Sequence, residues 1–129
     1  MKKYISFIFL ILSISLKVLS QSGPEFNKIG IEMFDSGDYK GAILNFNKAI
    51  DLNYKNSDIF FNRAKSKERI GDLDGAIDDY SKAIEMSPSD YQAYTRRGVV
   101  KFTIDRYKDA LTDYNKAIEL KPNDSKLYM

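Results

Sequence analysis

The stretch "GDLDGAIDDYSKAIEMSPSD", residues 71–90, returns with changes as "GDYKGAILNFNKAIDLNYKN" at 37–56 and as "DRYKDALTDYNKAIELKPND" at 105–124. The copies stand 34 residues apart, and at that step Ala42, Ala76 and Ala110 align without a gap. So do Phe46, Tyr80 and Tyr114, and Ala49, Ala83 and Ala117. A fixed period of this size marks stacked repeats, in which each unit buries its apolar face only against its neighbours.

Within the quoted copy, Ala76, Ile77, Tyr80, Ala83 and Ile84 recur at the spacing of one helix face. Asp78, Asp79, Ser81, Lys82 and Glu85 are assigned to the opposite, solvated face. Upstream, "DIFFNRAKSKERI" contains neither proline nor glycine and runs into Gly71, a residue suited to the left-handed turn that ends helices. Asp72 is then placed to cap the next helix. Each unit therefore reads as helix, tight turn, helix. Pro88 and Pro122 end the second helices, because the proline ring disfavours helical geometry at the preceding residue. The alanines leave room for two helices to approach closely, and Tyr80 is expected to fill the space between units.

The chain opens differently. "MKKYISFIFLILSISLKVLS", residues 1–20, has Lys2 and Lys3, an apolar run from Tyr4 to Leu16, and small residues near its end. That is the anatomy of a secretory signal peptide. Lys17 interrupts the run before the roughly 20 residues needed to cross a bilayer. We expect cleavage between Ser20 and Gln21, hence an exported protein, periplasmic or secreted, with no stable membrane span; an uncleaved segment would instead act as an anchor. With no cysteine in the chain, a lipid on cysteine and any disulfide framework are excluded.

Cleavage also changes the charge. The whole chain has 20 basic and 18 acidic residues, and losing Lys2, Lys3 and Lys17 leaves 17 basic against 18 acidic, a net −1. No basic excess remains to suggest nucleic acid. A 43% hydrophobic and 29% charged composition fits one folded unit of 129 residues.

Taken together, these residues resemble the tetratricopeptide repeat family, whose helix pairs stack into a right-handed α-solenoid. The units would be 23–56, 57–90 and 91–124, with 125–129, "SKLYM", beginning a further helix. Phe26, Gly30, Gly37, Ala42, Phe46 and Ala49 carry the pattern in the first, where Tyr54 replaces the usual proline. In the second, Phe60, Ala64, Gly71, Ala76, Tyr80, Ala83 and Pro88 carry it. The third shows Tyr94, Gly98, Ala110, Tyr114, Ala117 and Pro122, with Asp105 in place of the turn glycine. Positive φ at Asp105 would cost on the order of 1 kcal/mol. Arg63 and Arg97 replace a family leucine and are expected to rest their stems on the core with their heads in water.

Catalysis finds little support. The chain has neither histidine nor cysteine, so the commonest general base, the thiol nucleophile and the usual soft metal ligands are missing. Asp72, Asp74, Asp78 and Asp79 are better read as a cap, a first-turn charge and a solvated face than as a carboxylate site. "DLDG" fails as a calcium loop, since Gly75 stands fourth where an EF-hand wants glycine sixth. We expect no enzyme, cofactor or metal.

The resemblance implies a concave groove lined by the first helices, holding an extended peptide or a partner's helix. By register that surface comprises Asn27, Lys28, Ile31 and Phe34, then Phe61, Asn62, Lys65 and Arg69, then Gln92, Thr95, Arg96, Val99 and Phe102. Amides, cations and aromatics suit a protein or peptide with acidic or carboxylate groups. One family branch clamps the C-terminal carboxylate of cytosolic chaperones; Asn62 and Arg96 match it, whereas Asn27, Ile31 and Gln92 stand where that branch has Lys, Asn and Lys. The expected function is a non-catalytic adaptor. The alternative is an oligomerisation module, or the N-terminal fragment of a larger envelope assembly protein, because the uncapped helix around Ala110, Leu111, Tyr114 and Ile118 could self-associate.

Overall fold

The computed structural model describes residues 1–19 and 21–121. Seven helices follow one another: α1 (Lys2–Leu19), α2 (Gly23–Asp35), α3 (Tyr39–Asp51), α4 (Ser57–Arg69), α5 (Leu73–Met86), α6 (Tyr91–Thr103) and α7 (Tyr107–Leu120). No strand occurs among the described residues. Helices α2/α3, α4/α5 and α6/α7 pair as hairpins, and each second helix packs on the next first helix, α3 on α4 and α5 on α6. The expected all-helical repeat solenoid is therefore present. Pro122 and the start of a further helix at 125–129 lie outside the described residues, as does Ser20.

One device closes every hairpin. After α4, Gly71 adopts φ +83°, its N–H bonds the Glu68 carbonyl, and the Asp72 N–H bonds the Lys67 carbonyl. These paired bonds satisfy carbonyls that a helix end leaves orphaned. Gly37 closes α2 in the same way at φ +87°. Asp105 closes α6 at φ +64°, the positive value expected of it, and Asn53 closes α3 at φ +63°. Asn53 thus does by a left-handed residue what the missing proline does elsewhere. On the far side of the turns, Asp38 accepts from the Gly41 N–H and Asp72 from the Gly75 N–H. Arg106, at the third cap position, offers no side-chain acceptor.

The seam behind the turns follows the periodicity. Ala42, Ala49, Ala64 and Ala76, with Phe46 and Tyr80, are fully removed from solvent. A buried ring of this kind contributes about 1.5–3 kcal/mol. The close approach is visible at Gly30, where an added Cβ would fall 2.6 Å from the Phe46 ring. Tyr80 packs with Ala64, Ala76, Ile77 and Val100, joining hairpin two to hairpin three.

Two expectations fail together. Asp79 is not on the solvated face: it is 1% exposed. Nor are the heads of Arg63 and Arg97 in water. Arg63 Nε and Nη2 donate to the two Asp79 carboxylate oxygens at 2.7 Å each, and Lys67 Nζ stands 2.9 Å from the same group. The remaining arm, Arg63 Nη1, donates to Asn47 Oδ1 on α3 at 2.7 Å. Arg97, Asp113 and Lys101 repeat this arrangement 34 residues later, with Ser81 on α5 accepting at 2.9 Å. A buried carboxylate without a partner would cost several kcal/mol. The bidentate arginine offsets much of that cost and ties three consecutive helices.

Helix α1 is of another kind. Its residues 2–13 are exposed, including Tyr4, Phe7 and Phe9. Among the described residues no helix is long and apolar enough to cross a membrane.

Candidate functional site

Because first helices alternate with second helices in the stack, α2, α4 and α6 share one side of the molecule. Between α4 and α6 that side opens into a pocket of about 300 Å³ lined by Phe61, Lys65, Tyr91, Gln92, Thr95 and Arg96. Five of the six belong to the surface expected from the sequence. Tyr91 was missed; it is the first residue of α6, and its register mate is Ser57, so the repeat gave no aromatic signal there.

Toward α2 the surface continues as alternating rings and cations. Lys65 Nζ lies 4.5 Å from the Phe34 ring centre and 6.0 Å from that of Phe61. The Arg69 guanidinium sits 5.3 Å over Tyr39, 6.0 Å from Phe34, and donates to the Tyr39 hydroxyl at 2.9 Å. Phe34 and Tyr39 meet edge to face. Such contacts hold each cationic stem against apolar surface while leaving its head accessible.

Toward α6 the chemistry changes. The Tyr80 hydroxyl donates to Glu68 Oε2 at 2.9 Å, and Glu68 Oε1 lies 3.9 Å from Arg96. Burial, with the Glu68 carboxylate beside it, pushes the Tyr80 phenol well above its usual range, so it stays a donor. Glu68 was also missed. It occupies the register of Phe34 and Phe102, and the pattern Phe, Glu, Phe at 34, 68 and 102 was there to be read.

The other expected residues are less connected. Lys28 is exposed and pairs loosely with Glu32 at 3.9 Å, while Ile31 and Val99 are partly open to solvent. Asn27 turns its side-chain oxygen inward, without a hydrogen-bond partner among the described residues. Asn62 is half-buried. Phe102 stacks edge to face on Tyr107, repeating the Phe34–Tyr39 pair, yet does not line the pocket.

Comparisons with known proteins agree with this geometry. Models described as tetratricopeptide repeat match residues 57–90 and 91–124, and one described as TPR repeat matches 30–71. No curated protein matches the sequence. Among solved structures, the first TPR of Spaghetti (RPAP3), bound to an HSP90 peptide, is 31% identical with a TM-score of 0.74, over 81% of this chain and 82% of that one. The second TPR domain of human RPAP3, in complex with an HSP70 peptide, is 25% identical with a TM-score of 0.71, over 78% and 84%. MamA has the same fold at 24% identity and a TM-score of 0.79; the match covers 85% of this chain and 64% of that one.

Proposed function

Since the chain belongs to the tetratricopeptide repeat family, we propose that it is a non-catalytic adaptor that holds a peptide or partner protein along α2, α4 and α6. The observation that carries this reading is the pocket between α4 and α6, whose lining combines the rings of Phe61 and Tyr91 with the polar and charged side chains of Lys65, Gln92, Thr95 and Arg96. A few polar groups converging on apolar walls is the usual composition of a recognition site. Relatives of similar fold hold chaperone peptides, which supports a peptide ligand here without naming it. Replacing Lys65 and Arg96 together by alanine is expected to abolish capture of native partners in a crosslinking pull-down while circular dichroism stays unchanged. Equal capture by both proteins would remove the groove from consideration.

Export belongs to the same proposal. Residues 1–20 are read as a signal peptide, on the strength of Lys2, Lys3 and the apolar run that follows. Secreted or periplasmic material should then begin at Gln21, which N-terminal sequencing would establish; an intact Met1 in that fraction would contradict it.

A second reading rests on α7. Leu111 and Ile118 are 59% and 73% exposed, and Ile118 borders a largely apolar depression of about 360 Å³ with Tyr91, Tyr114 and Ala117. An exposed apolar helix face of this sort favours self-association. Sedimentation showing a monomer at high concentration would set the self-association form aside.

A further inference from the structure

The cations of the groove are not equivalent, and their difference says what kind of acidic ligand would fit. Arg96 faces Glu68 at 3.9 Å, and that carboxylate is itself held in place by the Tyr80 hydroxyl at 2.9 Å. Its positive charge is therefore partly cancelled before any ligand arrives. Lys65 and Arg69, one turn apart on α4, have no carboxylate within ion-pair distance among the described residues. Both are steered by rings instead, Lys65 by Phe34 and Arg69 by Tyr39 and its hydroxyl. A cation resting on a ring has lost part of its water shell and has little freedom left to lose, so a carboxylate gains more from it than from a free surface charge. The groove cations that lack a carboxylate partner are thus Lys65 and Arg69, which rest on rings from the α2–α3 hairpin, whereas Arg96 has Glu68.

The groove does not end at those two cations. Lys65 also lines the pocket between α4 and α6, so the surface runs from Phe34 past Lys65 and on to Tyr91, Gln92 and Thr95. A lone carboxylate on Lys65 and Arg69 would leave that pocket empty. A segment that continued would place an apolar side chain against Phe61 and Tyr91 and its main-chain amides beside Gln92 and Thr95.

We propose that this groove recognises a segment of a partner protein through an acidic side chain seated on Lys65 and Arg69 and a neighbouring aromatic or apolar side chain in the α4–α6 pocket, rather than through a free C-terminal carboxylate held at Arg96. The inference rests on the groove reading above and narrows it to one class of peptide.

The test uses the chain from Gln21 onward and a library of fluorescent octapeptides, acetylated and amidated, with Glu-Glu-Phe at the centre and varied flanks. Each has a Gln-Gln-Phe counterpart and a version with a free C-terminal carboxylate. Blocked Glu-Glu-Phe peptides are expected to bind about tenfold more tightly than their Gln-Gln-Phe counterparts, the size of one charge-assisted hydrogen bond. Arg69→Gln and Lys65→Gln should each erase most of that preference, and by more than Arg96→Gln does. Added salt should erode it too. Binding that requires the free carboxylate and falls most with Arg96→Gln would overturn the proposal. Equal affinity for the Glu and Gln series would overturn it while leaving the groove as a peptide site. If no member binds, the proposal falls, while the groove reading stands or falls with the pull-down of native partners.

Discussion

Hairpin one and hairpin two have the same backbone and fill the same gap with opposite chemistry. Where α4 and α5 bring Arg63, Lys67 and Asp79 together, α2 and α3 bring Ile29, Met33 and Asn45. Asn45 donates to the Met33 sulfur at 3.2 Å and to the Gly41 carbonyl at 2.9 Å, so the neutral set is hydrogen-bonded without any charge. Hairpin three follows hairpin two. Ions are therefore not needed to close this helix pair. What they add is reach: Arg63 touches α3 and Arg97 touches α5, whereas the neutral set stays inside its own hairpin.

The sharpest way to break the comparison is to remove one partner. Arg63→Ala leaves Asp79 buried with only Lys67, and should destabilise the chain by about 3–5 kcal/mol. Urea unfolding would show it as a lower midpoint at unchanged slope. Transplanting the neutral set, Arg63→Ile with Lys67→Met and Asp79→Asn, should instead be neutral or stabilising by about 1–4 kcal/mol. If the triple change costs as much as the single one, the two hairpins are not interchangeable solutions and the tie to Asn47 carries the energy.

Acid offers the same comparison without mutation. Burial alone would raise the Asp113 carboxyl, but the hydrogen bonds and charges of Arg97 and Lys101 outweigh it and hold the group below the ordinary carboxylate range. A depressed folded value means a contribution that is complete above the unfolded value and fades as pH falls from the ordinary carboxylate range through the folded one. Hairpin three should accordingly loosen on acidification in a way that Asp113→Asn, less stable at neutral pH, does not. Amide exchange along α7 against pH would read this directly.

Overpacking the seam comes next in size. Ala76 is fully buried where α5 meets α4, and Ala76→Leu should cost about 1–3 kcal/mol. An unchanged melting temperature would mean that the hairpins are not nested as described.

How far the sequence disclosed all this depends on which rule was allowed to win. The turns and the alanine seam were legible because a period of 34 residues fixes them three times over. Asp79 was legible as well, since it lies three residues after Ala76 and four before Ala83, the spacing that places both alanines inward. The preference of carboxylates for water argues the other way, and the partner that reverses it, Arg63, is sixteen residues away on another helix. A pattern within one helix cannot show such a pair. The groove surface is mostly legible by register, but Glu68 breaks the aromatic register of Phe34 and Phe102, and its counter-charge role depends on Arg96 of the next hairpin. Tyr91 owes its place in the pocket to the α4–α6 approach, which no single stretch of sequence encodes.

The smallest effect concerns the third turn, where the order of two residues has changed. Hairpins one and two read Gly37-Asp38 and Gly71-Asp72, a left-handed residue followed by a cap; hairpin three reads Asp105-Arg106. An aspartate is present, but one position early, so it takes the strained conformation at φ +64° and its carboxylate accepts from the Tyr107 hydroxyl instead of from the start of α7. Arg106 then stands at the cap and reaches Asp74 at 3.5 Å, with both side chains at least half exposed. Such a pair is worth roughly 0–1 kcal/mol. Asp105→Gly should relieve about 1 kcal/mol of strain, less the greater freedom of glycine in the unfolded chain. Arg106→Asp should supply a cap worth about 1 kcal/mol. The double change is expected to raise the melting temperature by a few degrees and to slow amide exchange in the first turn of α7. No gain from either change would mean that the Asp105–Tyr107 and Arg106–Asp74 contacts already compensate for the strain and the missing cap, with the backbone closure the same in all three hairpins.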